Sequence, residues 1–266
     1  MTSLLTRLAT PRKEIPRSLH LGAGLGVAGA ILLFWCILTY GGLVDTNFCP
    51  PPHKVVTAFT SSLLDGSLLR NVWASLVVIN LGFFISSIIA IPLGILMGSF
   101  RIVQSALEPV VNFTRYLPVT AMIPLLILWI GIGLNEKIAV IFIGTFFQQL
   151  VMFADVSAQV PNELFNAAYT LGASKRQVVT RVLLPATLPG VIDTLRVTMG
   201  WAWTYLVVAE LVASSSGLGY MSMQAMRGLH ADLIFVSILV IGLLGLVTDM
   251  IFRWIKAVTL PWAQQR

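Results

Sequence analysis

Thirty consecutive residues, Asn71–Phe100, contain no Asp, Glu, Lys or Arg. Two further uncharged runs of 20 residues follow the same rule, Leu21–Tyr40 and Tyr116–Asn135, and three shorter ones occur at Ile138–Ala154, Val197–Ala209 and Leu233–Thr248. The fifth of these six is expected to begin earlier, near Thr187, with Asp193 and Arg196 in its first turns. A helix that crosses a bilayer needs about 20 predominantly apolar residues. Inside hydrocarbon the backbone must satisfy its own hydrogen bonds, so such runs form helices, and the alternating pattern of a membrane barrel is absent. The chain therefore reads as an all-α membrane protein with six transmembrane helices. Composition agrees: 11% of residues are charged, against about 25% in soluble domains, too few to cover a water-facing surface.

Basic residues set the expected orientation. With the N-terminus inside, the inner segments hold Arg7, Arg12, Lys13, Arg17, Arg101, Lys175, Arg176, Arg181, Arg253, Lys256 and Arg266. The outer loops hold Lys54, Arg70, Lys137 and Arg227. Both termini are therefore expected in the cytoplasm. This asymmetry accounts for the net charge of +6, and no aromatic–basic interleaving suggests nucleic acid. The first apolar run is longer than the core of a signal peptide and lacks a small-residue cleavage site, so it reads as an uncleaved span. Cys36 and Cys49 read as unpaired packing residues.

Between the fourth and fifth runs lies a polar, basic interruption, NAAYTLGASKRQVVTRVLLP, from Asn166 to Pro185. Pro161 is expected at the start of a short helix running to about Leu171. Ala167 and Ala168 carry almost no side chain, so a partner surface can approach the backbone. Gly172 can adopt positive φ and turn the chain. Ala173-Ser174 then opens another helix, which Leu184-Pro185 is expected to close before the fifth span. The spacing of Ala167, Ala168, Gly172, Val182, Leu184 and Pro185 resembles the EAA loop of ABC-importer permease subunits. The leading Glu of that motif is Asn166 here, and Glu163 lies one turn earlier. Two other segments resemble the nitrate/sulfonate/taurine/bicarbonate group of these permeases: RYLPVTAMIPLLILWIGIG in the third run and GWAWTYLVVAELVASSSGLGY in the fifth.

The resemblance implies a type I ABC-importer permease fold of the bacterial inner membrane. Its domains would be a cytoplasmic arm at 1–18, a six-helix permease domain at 19–258 with a cytoplasmic coupling loop at 157–185, and a tail at 259–266. It also implies partners: cytoplasmic ATP-binding cassette subunits docking on the loop, a periplasmic or lipid-anchored substrate-binding protein, a second permease copy, and membrane lipid. The chain has no G-x-x-x-x-G-K-[ST] sequence, so ATP and Mg²⁺ are expected on the ATPase partner and no cofactor on this chain. Neither a catalytic nor a metal constellation is legible, with His20, His53 and His230 scattered, and no enzyme activity is expected.

Candidates for the translocation pathway are Arg115 and Pro118 at the start of the third run, and Arg196, Trp201, Tyr205 and Glu210 in the fifth. Trp201 and Tyr205 share a helical face at i,i+4, whereas Trp203 does not. Glu210, near the outer end, could face the pathway or bond the Ser-rich turn after it. Asp193 and Arg196 are spaced to pair with each other. Gly94 with Gly98, and Gly242 with Gly245, read as close-packing points. Convergent polar groups in mid-span, which an intramembrane enzyme would need, are not evident. The expected cargo is a small oxyanion of the nitrate, sulfonate or bicarbonate class. The alternatives are a small cationic or neutral nitrogenous solute, or ion-coupled secondary transport, for which repeated halves are missing.

Overall fold

The computed structural model describes residues 17–212 and 214–264. Of the expected N-terminal arm, residues 1–16 lie outside the described residues, while Arg17 and Ser18 already belong to helix α1. The elements are α1 (Arg17–Tyr40), α2 (Pro52–Leu64), α3 (Ser67–Ser99), α4 (Arg101–Thr114), α5 (Val119–Ile130), α6 (Leu134–Ala158), α7 (Asn162–Thr170), α8 (Lys175–Val178), a π-helical turn (Val179–Leu183), α9 (Leu184–Val212), α10 (Leu218–Arg227), α11 (Ala231–Thr259) and a closing 3₁₀ turn (Pro261–Gln264). Five helical stretches are long and apolar enough to cross a membrane, and α4 with α5 make a sixth if the bent pair counts as one span. No strand occurs among the described residues.

Helices α3, α6 and α9 form the centre. Their packing follows from small residues every fourth position along α3: Gly82, Ser86, Ala90, Gly94 and Gly98. A Cβ on Gly82 would lie 2.8 Å from the Ile141 Cβ, one on Gly94 2.6 Å from the Phe153 Cβ, and one on Gly98 would overlap the Ala154 carbonyl. Backbones can approach this closely only without side chains between them. The expectation for Gly242 and Gly245 fails: nothing lies within 4 Å of a Cβ on Gly242, and Gly245 meets only the edge of Trp203 at 4.0 Å. Gly242 faces away from the centre of the bundle on α11, whose large side chains Ile238, Leu239, Leu243, Leu246 and Val247 are themselves exposed.

Polar side chains do converge in mid-span, contrary to expectation. Ser86 Oγ donates to Gln149 Oε1 at 2.9 Å, and Gln149 Nε2 reaches Ser87 Oγ at 3.0 Å and Thr198 Oγ1 at 3.2 Å. Thr145 Oγ1 adds a 3.0 Å bond to Ser86. All five residues are buried. Each donor and acceptor finds a partner within α3, α6 or α9, which makes the cluster adhesive rather than reactive. No charge marked these positions in the sequence.

The third apolar run is the one whose form differs most from a plain span. Gly131 and Gly133 take φ of 86° and 154°, ending α5 after 12 residues, about 18 Å at 1.5 Å per residue. The amphipathic α4 meets α5 at a bend of 94°. At one end of the bundle Val55 of α2, Leu68 of α3, Leu218 of α10 and Val236 of α11 meet in one apolar cluster. Trp35 of α1 stacks on Phe235 and donates to the Pro50 carbonyl at 3.1 Å. Cys36 and Cys49 are free thiols. The opposite end carries α7, α8 and the ends of α3, α6 and α11.

Candidate functional site: coupling loop and membrane cavity

Pro161 occupies the position just before α7, where a missing N–H leaves no bond unmade. None of the nine residues of α7 is buried. Glu163, Asn166 and Ala167 are exposed and Ala168 is half-buried; Leu164, Tyr169 and Leu171 also stand in the open. Phe165 alone of the α7 side chains joins the apolar cluster of Ala90, Ile95, Phe153, Val160, Leu183 and Val191. The helix stops at a Schellman turn: Gly172 N–H bonds Tyr169 O at 2.9 Å and Ala173 N–H bonds Ala168 O at 3.0 Å. Gly172 has φ +78° and open space around its Cα. Glycine is needed there for conformation, not for room. Ser174 and Gln177 then form a reciprocal capping box that starts α8, readable as S-x-x-Q.

Leu184-Pro185 does not close this helix. The chain stays helical from Lys175 to Val212. The intervening π turn bonds Leu184 N–H to Val179 O, and this wider turn accommodates a proline ring that has no N–H to donate. The loop and the fifth span are therefore joined by continuous helical backbone.

Two pathway candidates on α9, Trp201 and Tyr205, line a cavity of about 330 Å³ together with Arg115, Gly144, Phe147 and Gln148. Trp203 lies on a different face, as expected, with its ring buried and its Nε1 3.4 Å from Thr248 Oγ1. Pro118 sits in the bend between the lining residues Leu117 and Val119, at the N-cap of α5. Gly144 makes room for the aromatic wall, since a Cβ there would lie 2.6 Å from the Tyr205 ring. Gly144, Phe147 and Gln148 fall at the middle of the 25-residue α6. Arg115, at the C-terminal end of α4, thus lies beside the middle of α6. Sequence reasoning missed Gly144 and Gln148; the uncharged polar pair Gln148-Gln149 within an apolar run was the available signal.

The other two candidates lie elsewhere. Arg196 Nε pairs with Asp249 Oδ1 at 2.9 Å, and Asp193 pairs with Lys256 at 2.5 Å. The expected Asp193–Arg196 pair does not form, because α11 presents an opposite charge to each. Glu210 is buried outside the cavity lining. Its Oε1 accepts from Ser75 Oγ at 2.7 Å and its Oε2 from Gly219 N–H at 2.7 Å. The reading in which it bonds the turn after the fifth span is the one the geometry supports. Asn71 and Ser75 complete this clamp by accepting from Gly217 and Leu218 N–H at 3.0 and 2.9 Å.

An all-helical bundle of long apolar helices, with an exposed two-helix elbow at one end, is the architecture of a membrane-embedded protein. Residues 90–259 match the family model of the binding-protein-dependent transport system inner membrane component, and the chain belongs to that family. It is 38% identical over 233 residues, 88% of this chain and 92% of the relative, to a probable ABC transporter permease protein of Brucella melitensis biotype 1. It is 31% identical over 252 residues, 93% of this chain and 92% of the relative, to the taurine transport system permease protein TauC of Escherichia coli K12. The fold resembles a chain of the inward-facing MetNI methionine ABC transporter, with a TM-score of 0.60 at 24% identity over 72% of this chain and 97% of that one. The protein is an ABC-importer permease subunit of the inner membrane, a non-catalytic transport component.

Proposed function

We propose that the chain forms the translocation path of an ATP-driven importer for a small oxyanion of the sulfonate type, with both termini and α7 in the cytoplasm. The single observation that carries the proposal is the elbow: a short helix with no buried residue, ended by Gly172 and re-started by the Ser174–Gln177 box on a rod continuous with α9. A helix left this exposed at the end of an apolar bundle gains its packing from another protein. In this reading Glu163, Asn166, Ala167, Ala168 and Gly172 contact a cytoplasmic ATPase, whose ATP and Mg²⁺ supply the energy. Closure of that ATPase pushes α8, and the rod, which includes Leu184 and Pro185, moves Trp201 and Tyr205. A substrate-binding protein delivers cargo at the α10 end. Two nucleotide sites call for two elbows, hence a permease homodimer. Similarity to the E. coli taurine permease supports the sulfonate class.

The test is reconstitution of the complex co-purified on this chain into proteoliposomes with its binding protein. ATP-dependent accumulation of radiolabelled taurine, and an ATPase subunit that crosslinks to a cysteine placed at Ala167, are expected. A complex without an ATPase crosslinked at that position would overturn the assignment of the elbow. A complex that couples ATP to uptake of other solutes but never sulfonates would overturn the cargo class alone.

A further inference from the structure

We infer that the mid-membrane cavity between α4, α6 and α9 is a selective anion subsite, with Arg115 as its charge-determining residue and Gln148 and Tyr205 as polar neighbours. The inference deepens the importer reading above and rests on it for its place in transport, but the charge preference of the cavity is a property of this chain alone.

Four observations converge. First, the bend of 94° between α4 and α5 puts Arg115 opposite the middle of α6, where a full charge is retained only for a purpose. Second, the guanidinium is held but not neutralised. It stacks over the Tyr116 ring at 4.9 Å and donates to the Tyr116 hydroxyl at 3.0 Å, while its Nε is shielded from solvent and has no hydrogen-bond partner. A buried donor without an acceptor is costly, and an entering anion is the group that satisfies it. Third, no described residue lining the cavity is a carboxylate. Three basic groups elsewhere in the bundle are already occupied: Arg196 by Asp249, Lys256 by Asp193, and Lys137 by the Ser214 hydroxyl at 2.7 Å. Fourth, the opposite wall is Trp201 and Tyr205, with the Tyr205 ring set back against Gly144. The cavity therefore pairs one cationic donor with an aromatic wall, which suits a small solute having an oxyanion head and a short organic tail. A cation could use the aromatic faces, but the guanidinium charge outweighs ring quadrupoles at this range.

The experiment reads charge selection directly. In the full-length chain with Cys36→Ser and Cys49→Ser, a single thiol is placed at Gln148 (Gln148→Cys) or, as a second reporter, at Thr114 (Thr114→Cys). The purified permease in lipid nanodiscs is treated with anionic sulfonatoethyl or cationic trimethylammonioethyl methanethiosulfonate. The anionic reagent is expected to react about tenfold or more faster than the cationic one at these sites, as a nearby unscreened charge dictates. Adding Arg115→Gln should abolish or reverse that ratio, and millimolar methanesulfonate should slow the anionic reaction while methylammonium does not. Equal rates for the two reagents, a ratio unchanged by Arg115→Gln, or no reaction at either reporter would each overturn the subsite. Because no ATP or partner is present, a failed uptake assay leaves this result intact, and a failed labelling ratio leaves the coupling assignment intact.

Discussion

Glu210 on α9 accepts a 2.7 Å hydrogen bond from Ser75 on α3, a residue 135 positions earlier, and with its second oxygen holds the N–H of Gly219 at the start of α10. One buried carboxylate thus fastens three elements at the end remote from the elbow. Its placement at a helix N-terminus suits its negative charge. The Ser75 hydroxyl serves twice, donating to Glu210 and accepting from Leu218 N–H, so loss of either residue leaves buried donors unmet.

Glu210→Ala should therefore cost about 2–4 kcal/mol, the usual penalty for orphaning buried partners of a charged group. Thermal unfolding of the detergent-solubilised chain checks this, with Glu210→Gln expected to lose clearly less because it keeps an acceptor. A variant Glu210→Ala with wild-type unfolding midpoint would contradict the clamp.

Gly172→Pro should leave membrane insertion and folding intact but reduce ATP-coupled uptake at least about tenfold, because proline is locked near φ −65° and this position requires +78°. Gly172→Ala should show an intermediate loss, since a left-handed alanine costs about 1–2 kcal/mol. Parallel measurement of uptake and ATPase rate separates lost coupling from lost assembly.

Packing along α3 predicts a contrast between glycines that look alike in sequence. Gly94→Val should destabilise by about 1–3 kcal/mol or more through overpacking against Phe153, and Gly242→Val should stay within about 0.5 kcal/mol, as for a substitution that meets nothing. Yield and unfolding midpoint of the two purified variants measure this; equal effects would refute the α3–α6 contact.

Arg196 is half-exposed and paired with Asp249, so Arg196→Gln should change stability by no more than about 1 kcal/mol. It should leave the KM for anion uptake unchanged, whereas Arg115→Gln should raise it. A KM shift of similar size in both variants would return Arg196 to the pathway.

The class of fold was legible because a charge-free run of 20 or 30 residues has only one stable form in hydrocarbon. The elbow was legible for an equally local reason: Gly172, Ser174 and Gln177 act through φ preference and through hydrogen bonds no more than three residues away. Leu184-Pro185 misled because proline usually ends a helix, and the π turn that absorbs it depends on a bonding choice the pattern does not reveal. In the same way Asp193 and Arg196 have the spacing of a pair, yet each found a stronger option on α11.

Residue order alone determined the all-helical membrane class, the short exposed helix between two apolar runs, and the shared face of Trp201 and Tyr205, all consequences of periodicity and local backbone energetics. Only tertiary structure decided that Arg115 faces a cavity while Arg196 is neutralised, that Glu210 is a clamp, and that Gln149 ties three helices together. Those outcomes depend on which distant helix lies within hydrogen-bond reach. In a low-dielectric interior the pairing of a polar group, more than its identity, determines what it can do.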